Sequence, residues 1–309
     1  MALEVKSESS SSAVSVFELG KLGVDVSSWK ASEIGTSSPP KPLLIVRPTE
    51  AGEYPVVLFF HGYALGNYFY NDLFKHVASH GYIIVAPQLY LINPSNELDD
   101  AASVVNWLSK GLQHLLPQDV RPNLLKFALA GHSRGGRAAF AVALGKVQTS
   151  LKFSILLGID PVAGSSRENQ VSPKILTYVP QSFDIDAPIL LVGTGLGDKP
   201  KMFLMPACAP EGVNHKEFFN ECRSPCRYFV AKEYGHMDML DDDPQPKIIG
   251  MMTYCMCTNG RERKPMRAFV GGVIVAFLAA YWDGKSEDLE AISQDPDIAP
   301  VKLDTPICI

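Results

Sequence analysis

The chain has 309 residues, 46% of them hydrophobic and 20% charged, which suits one large folded α/β domain or two small ones. A net charge of −5 offers little to a polyanion, so no nucleic-acid partner is expected. Six cysteines in a chain this long do not make a disulfide-built scaffold.

The first 22 residues have no continuous apolar core and carry Glu4, Glu8 and Glu18, so no secretory signal is expected. Their serines suit an organelle presequence, whereas the acids and the lack of arginine before Arg47 do not; chloroplast and cytoplasm both stay open. Residues 1–40 read as an irregular arm with one edge strand around SAVSVFEL (12–19), and 41–309 as a single domain. LLIVRP (43–48) and YPVVLFF (54–60) read as strands, NDLFKHVASHG (71–81) as a helix capped by Asn71, and YIIVAPQL (82–89) as a strand. A helix over 97–116 starts with acids that suit its dipole, and a strand at LKFALAG (125–131) is followed by a helix at RAAFAVALG (137–145). Further strands fall at KFSILLGID (152–160), APILLVGTG (187–195) and CRYFVAKEY (226–234), with long excursions near 161–186 and 196–225 that can cover a site. AFVGGVIVAFLAAYW (268–282) is shorter than the ~20 apolar residues that cross a bilayer and reads as a buried core helix. Near-continuous apolar strands alternating with helices predict an α/β fold: a mostly parallel, doubly wound sheet with helices on both faces.

The strand at 125–131 runs into Gly131-His132-Ser133-Arg134-Gly135, and a helix follows. In that setting the pattern reads as a nucleophile elbow: a tight strand-to-helix turn that holds the Ser133 hydroxyl at the sheet edge beside a helix N-terminus. A nucleophilic serine needs a base, and the base needs an acid, in the chain order Ser, Asp or Glu, His for this type of sheet. Only His215 and His236 lie downstream. His215 opens the polar stretch HKEFFNE and reads as a surface residue; His236 follows the last strand in a glycine-containing loop and is the expected base. Asp160 and Asp198 compete for the acid, since each follows a strand ending on the catalytic edge; Asp160 directly ends its strand, while Asp198 sits three residues past the Gly195 turn. The oxyanion donors expected are the backbone N–H groups of Arg134 and of Tyr63, the latter in the loop HGYALGNYFY, where His61 reads as a loop-orienting residue.

Six blocks in order, VVLFFHGY, YIIVAPQLY, GHSRGG, GIDPVAG, VGTGLGD and YGHMDMLDDD, resemble plant chlorophyllases from about residue 40 to residue 283. The resemblance implies an α/β-hydrolase fold and a serine esterase that releases phytol from chlorophyll without cofactor or metal. It also implies that Ser133, Asp160 and His236 form the triad, which decides between the two acids. The loop is similar to a Gly-Tyr loop of bacterial cutinases and polyester hydrolases, which supports Tyr63. The alternatives are a broader carboxylesterase or lipase, and a non-catalytic binding protein on a hydrolase scaffold.

An apolar substrate needs an apolar pocket. Leu65, Tyr68, Phe69 and Tyr70 from the oxyanion loop, and Met202, Phe203, Leu204 and Met205 from the later excursion, are the candidate lining. Asp238 and Asp241 to Asp243 read as an acidic surface loop, and GRERKPMR (260–267) as the solvated start of the last helix, with contact to anionic lipid a minority reading. The cysteines lack C-x2-C spacing, so zinc is not expected; a disulfide involving Cys208, Cys222 or Cys226 stays open.

Overall fold

The computed structural model describes residues 15–31, 38–202, 206–244 and 247–309. Its frame is a nine-stranded sheet. In chain order the strands are β1 (Val24–Trp29), β2 (Leu43–Pro48), β3 (Gly52–Phe60), β4 (Ile83–Pro87), β5 (Val120–His132), β6 (Ile155–Ile159), β7 (Ile189–Thr194), β8 (Cys226–Ala231) and β9 (Ile307–Cys308). The spatial order is β1-β2-β4-β3-β5-β6-β7-β8-β9. The six central strands, β4 to β8 with β3 among them, run parallel, while β1, β2 and β9 are antiparallel additions at the two edges. Parallel strands covered on both faces must be apolar throughout, and β4, β6 and β7 are buried at every position.

Helices cover both faces. Among them, α1 (Asn71–Ser79), α6 (Arg263–Asp283) and α7 (Glu287–Gln294) close one core. The other core lies under α2 (Glu97–Gly111), α3 (Arg134–Ala143) and α4 (His215–Glu221). α5 (Lys247–Met256) precedes α6. By length and composition α6 is apolar enough to cross a membrane, but Met266, Phe269, Val270, Val273 and Phe277 are fully buried against the sheet and α1. It is the core helix that its sequence predicts.

Three local expectations change. Residues 15–17 form a 3-10 turn with Val16 and Phe17 buried, and the edge strand lies later, at β1; residues 12–14 lie outside the described ones. Asn71 is the first residue of α1 rather than its cap, which is Tyr70. Arg263 and Arg267 are buried rather than solvated, for a reason given below.

Candidate active site

β5 ends at His132, and α3 begins at Arg134, so Ser133 alone makes the turn. Its backbone sits at φ 56° and ψ −125°, a region L-residues avoid and one that persists only when the surroundings enforce it. They do so here. Ser133 N–H donates to the Ile159 carbonyl (3.0 Å), and the Ser133 carbonyl accepts from Arg137 N–H (3.1 Å) and Val162 N–H (3.0 Å). The two flanking glycines of the motif are steric requirements. A Cβ at Gly131 would lie 2.3 Å from the Gly135 carbonyl oxygen, and one at Gly135 would lie 2.2 Å from that of Phe60.

Parallel strands deliver the partners to the same edge. Asp160 follows β6 immediately, and His236 lies in the loop after β8. The Ser133 hydroxyl is 2.7 Å from His236 Nε2, and His236 Nδ1 is 2.6 Å from Asp160 Oδ2. Asp160 also accepts from Thr194 N–H at Oδ1 (3.1 Å) and from the Thr194 hydroxyl at Oδ2 (2.8 Å). Burial alone would raise the Asp160 carboxyl. The His236 hydrogen bond and charge, His215 and Thr194 together hold it below the usual carboxylate range. Such a chain can take a proton from the serine hydroxyl and stabilise the imidazolium that results.

Asp198, the competing acid, is engaged elsewhere: it pairs with Lys216 at 3.1 Å and Lys199 at 3.2 Å. His215, expected at the surface, is buried; it packs behind Asp160, with Nε2 3.8 Å from Oδ1.

A second chain of hydrogen bonds, unseen in the sequence, fixes the two loops that face each other across Ser133. Gly62 N–H donates to the Tyr70 hydroxyl (3.1 Å), which lies 2.8 Å from His132 Nδ1. His132 Nε2–H then donates to the His236 carbonyl at 2.9 Å. Burial first, then the nearby His236, pushes His132 down to about 3, so it is a neutral strut. His132 stands inside the serine motif itself, and that position is the only sequence signal for its role. His61 is also neutral, pushed to about 4 by burial. Its Nδ1 lies 2.8 Å from the Gly62 carbonyl and its Nε2 accepts from Leu89 N–H at 3.1 Å, which is a loop-orienting role.

Arg134 N–H stands at the first position of α3, where the helix dipole favours a negative charge. The Arg134 side chain is held by Glu97, whose two carboxylate oxygens each lie 3.1 Å from Nε. Its guanidinium stands 5.9 Å from the ring centroids of both Tyr63 and Tyr90.

A cavity of about 550 Å3 opens at Ser133. Tyr63 and Arg134 form one side; Val162, Val171, Pro206 and Ala207 are among the walls contributed by the two long excursions. None of the described residues expected from the sequence as lining is among those lining this cavity. Leu65, Phe69 and Tyr70 are buried in the core beneath the loop, and Tyr68 packs against that core half-buried. Tyr70 is spent on the Gly62–His132 link. Met202 is exposed and does not line the cavity; Phe203, Leu204 and Met205 lie outside the described residues. Cys208, also in the wall, is disulfide-bonded to Cys257.

The histidine loop is tied down by two features that read as separate surface elements in the sequence. Asp238 is buried and accepts from Gly235 N–H and Gly260 N–H, both at 2.6 Å. Arg263 donates to the Asp241 carbonyl (3.0 Å) and the Thr253 hydroxyl (3.0 Å), and Arg267 to the Leu240 carbonyl (2.8 Å) and Asp242 (2.5 Å). The acidic loop and the basic helix start are therefore partners, which is why both arginines are buried.

The model of the family described as chlorophyllase matches residues 12–308. Chlorophyllase-2 of Arabidopsis thaliana is 52% identical over 299 residues, covering 92% of this chain and 94% of its own length. Chlorophyllase-1 of the same plant is 51% identical, covering 93% and 90%. The protein of Citrus unshiu named "Chlorophyllase-1, chloroplastic" is 45% identical, covering 94% and 87%.

Proposed function

This chain belongs to the chlorophyllase family, and we propose that it hydrolyses the ester between the propionate side chain of chlorophyll and phytol by a Ser133–His236–Asp160 triad. His236 Nε2 takes the Ser133 proton as Oγ attacks the ester carbonyl carbon. The carbonyl oxygen becomes an oxyanion, held by the N–H groups of Tyr63 and Arg134; a single donor of this kind is worth about 10²–10³ in kcat. Collapse breaks the bond to phytol, whose oxygen receives the proton from His236. Water, deprotonated by the same imidazole, attacks the acyl-enzyme, and collapse of the second intermediate returns the proton to Ser133 and frees chlorophyllide.

The observation that carries this reading is the unbroken contact chain from the strained serine to the buried acid, at 2.7 and 2.6 Å. The cavity beside it takes the reacting end of the pigment. The chloroplastic naming of the Citrus relatives supports a chloroplast location. α6, the one helix among the described residues long and apolar enough to span a membrane, is packed into the core. Purified protein incubated with chlorophyll in detergent, with products separated by chromatography, yields chlorophyllide and phytol. If only short p-nitrophenyl esters are cleaved, the pigment assignment gives way to a broader carboxylesterase.

A further inference from the structure

Asp160 has an imidazole on each side. His236 takes Oδ2, as above; His215 Nε2 faces Oδ1 at 3.8 Å and has no part in the proposed chemistry. His215 opens α4, where the Asn214 side chain accepts from Lys216 N–H and fixes the helix start. The ring lies flat against β7: a Cβ at Gly193 would fall 2.3 Å from its Nδ1, so only glycine leaves room for it. On its far side Nδ1 lies 2.6 Å from the Tyr228 hydroxyl on β8. With the Tyr228 hydroxyl donating to Nδ1, the ring's own N–H sits on Nε2, the nitrogen that faces Asp160.

Behind the ring is a second cavity of about 500 Å3, away from Ser133 and lined by Thr194, His215, Lys216, Tyr228 and Asp198 among others. His215 is thus a partition between that cavity and the acid. The charged and titratable groups around it are Asp160 and Tyr228 and, lining the rear cavity, Asp198, Lys199, Lys216 and Asp304. On the cavity side Asp198 is paired with Lys216 at 3.1 Å and Lys199 at 3.2 Å, and Asp304 with Lys232 at 3.0 Å. Burial is the main cause lowering the His215 pKa, so the ring is neutral at neutral pH.

We propose that His215 is a positioning residue for the ester hydrolysis: it walls Asp160 off from the rear cavity and aims an N–H dipole at Oδ1, so that the carboxylate stays dry and Oδ2 stays committed to His236. A dry carboxylate stabilises an imidazolium more than a hydrated one does. Opening the partition hydrates Asp160, weakens its hold on protonated His236 and makes His236 a poorer base.

This inference rests on the triad reading, and the variants separate the two. His215→Ala should lower kcat/KM on a short p-nitrophenyl ester by about tenfold or more, through kcat rather than KM, and should move the acid limb of the pH profile to lower pH. Added imidazole, which fits the rear cavity, should restore much of the loss, and so should His215→Gln, which keeps a donor and most of the volume. In an Asp160→Asn background, His215→Ala should cost almost nothing more. Should His215→Ala not fold, Tyr228→Phe is the milder probe and should move the acid limb in the same direction. Unchanged kcat and acid limb in folded variants would overturn the proposal, as would a loss that neither imidazole nor glutamine restores. Full activity of Asp160→Asn alone would instead overturn the triad.

Discussion

The catalytic edge and the cavity wall lie within a few ångströms of each other and are built on different principles. Ser133, Asp160 and His236 sit at or just beyond the ends of three parallel strands and are buried; Ser133 and Asp160 donate backbone N–H groups to neighbouring strands, and the His236 carbonyl accepts from the His132 ring. The wall opposite comes from excursions 161–186 and 196–225, with Pro206, Ala207 and Cys208 held in place by a disulfide rather than by a ladder. Topology positions the chemistry, and loops shape what reaches it. The first cannot drift without breaking the sheet, whereas the second can vary at small cost.

The largest expected effects fall on the edge. Ser133→Ala should lower kcat by about 10⁶ while leaving the fold and pigment binding intact; near-normal turnover would end the comparison, because the edge would not be the reactive region. Asp160→Asn should cost about 10⁴ in kcat, against less than about tenfold for Asp198→Asn, whose carboxylate pairs with Lys199 and Lys216. The reverse ranking, measured on one ester, would move the acid to the next strand.

The wall should respond more gently, and in KM. Reducing Cys208–Cys257 should raise KM for chlorophyll more than it changes kcat. The bridge spans a sequence separation of 49 residues, so its loss should also lower stability by up to about 4 kcal/mol. Before reduction, thiol titration of the denatured protein should find four free cysteines, namely Cys222, Cys226, Cys255 and Cys308. Six would mean that the wall is not stapled.

Acid gives the smallest and most graded test. His61 and His132 have folded values near 4 and 3, below the unfolded value of about 6.5. Below that value the unfolded chain binds protons that the native edge refuses, so their contribution is complete above it and is lost as pH falls toward 4. Asp241, pushed up by burial to about 7, acts in the opposite sense, and equally in any variant that leaves it alone. His61→Gln should therefore lose about 2 kcal/mol less than the parent between about pH 7 and pH 5, by denaturant titration. Equal losses would show that acid does not act through this region.

The same division explains what was legible in the sequence. The elbow is local: a strand, five motif residues and a helix, all readable in order. His236 follows from chain order, whereas pattern leans to Asp160 without excluding Asp198, because both follow strands reaching the same edge, and the family resemblance decides. His215 reads as a surface residue because its stretch looks polar, while its burial depends on the flat face of Gly193 in another element. The arginines of α6 read as solvated because their partners in the acidic loop stand 22 to 27 residues earlier. Hydrophobicity marks Tyr70 as a candidate pocket residue, whereas its hydroxyl contacts His132 beneath the loop. Each miss is a contact between distant segments, which periodicity cannot report.

The reach of the proposed triad along the chain also has a kinetic meaning. The contacts His236–Asp160 and His236–Ser133 bridge 76 and 103 residues. Closing such long loops carries an entropy cost before any contact repays it, and non-local pairings are slow to form. α3 can coil within its own span, but Ser133 meets His236 only once β6, β7 and β8 stand beside β5. On dilution from denaturant, helical circular dichroism should therefore return before esterase turnover. The appearance of activity then marks completion of the sheet, and an assay of a single ester bond becomes a clock for the whole fold.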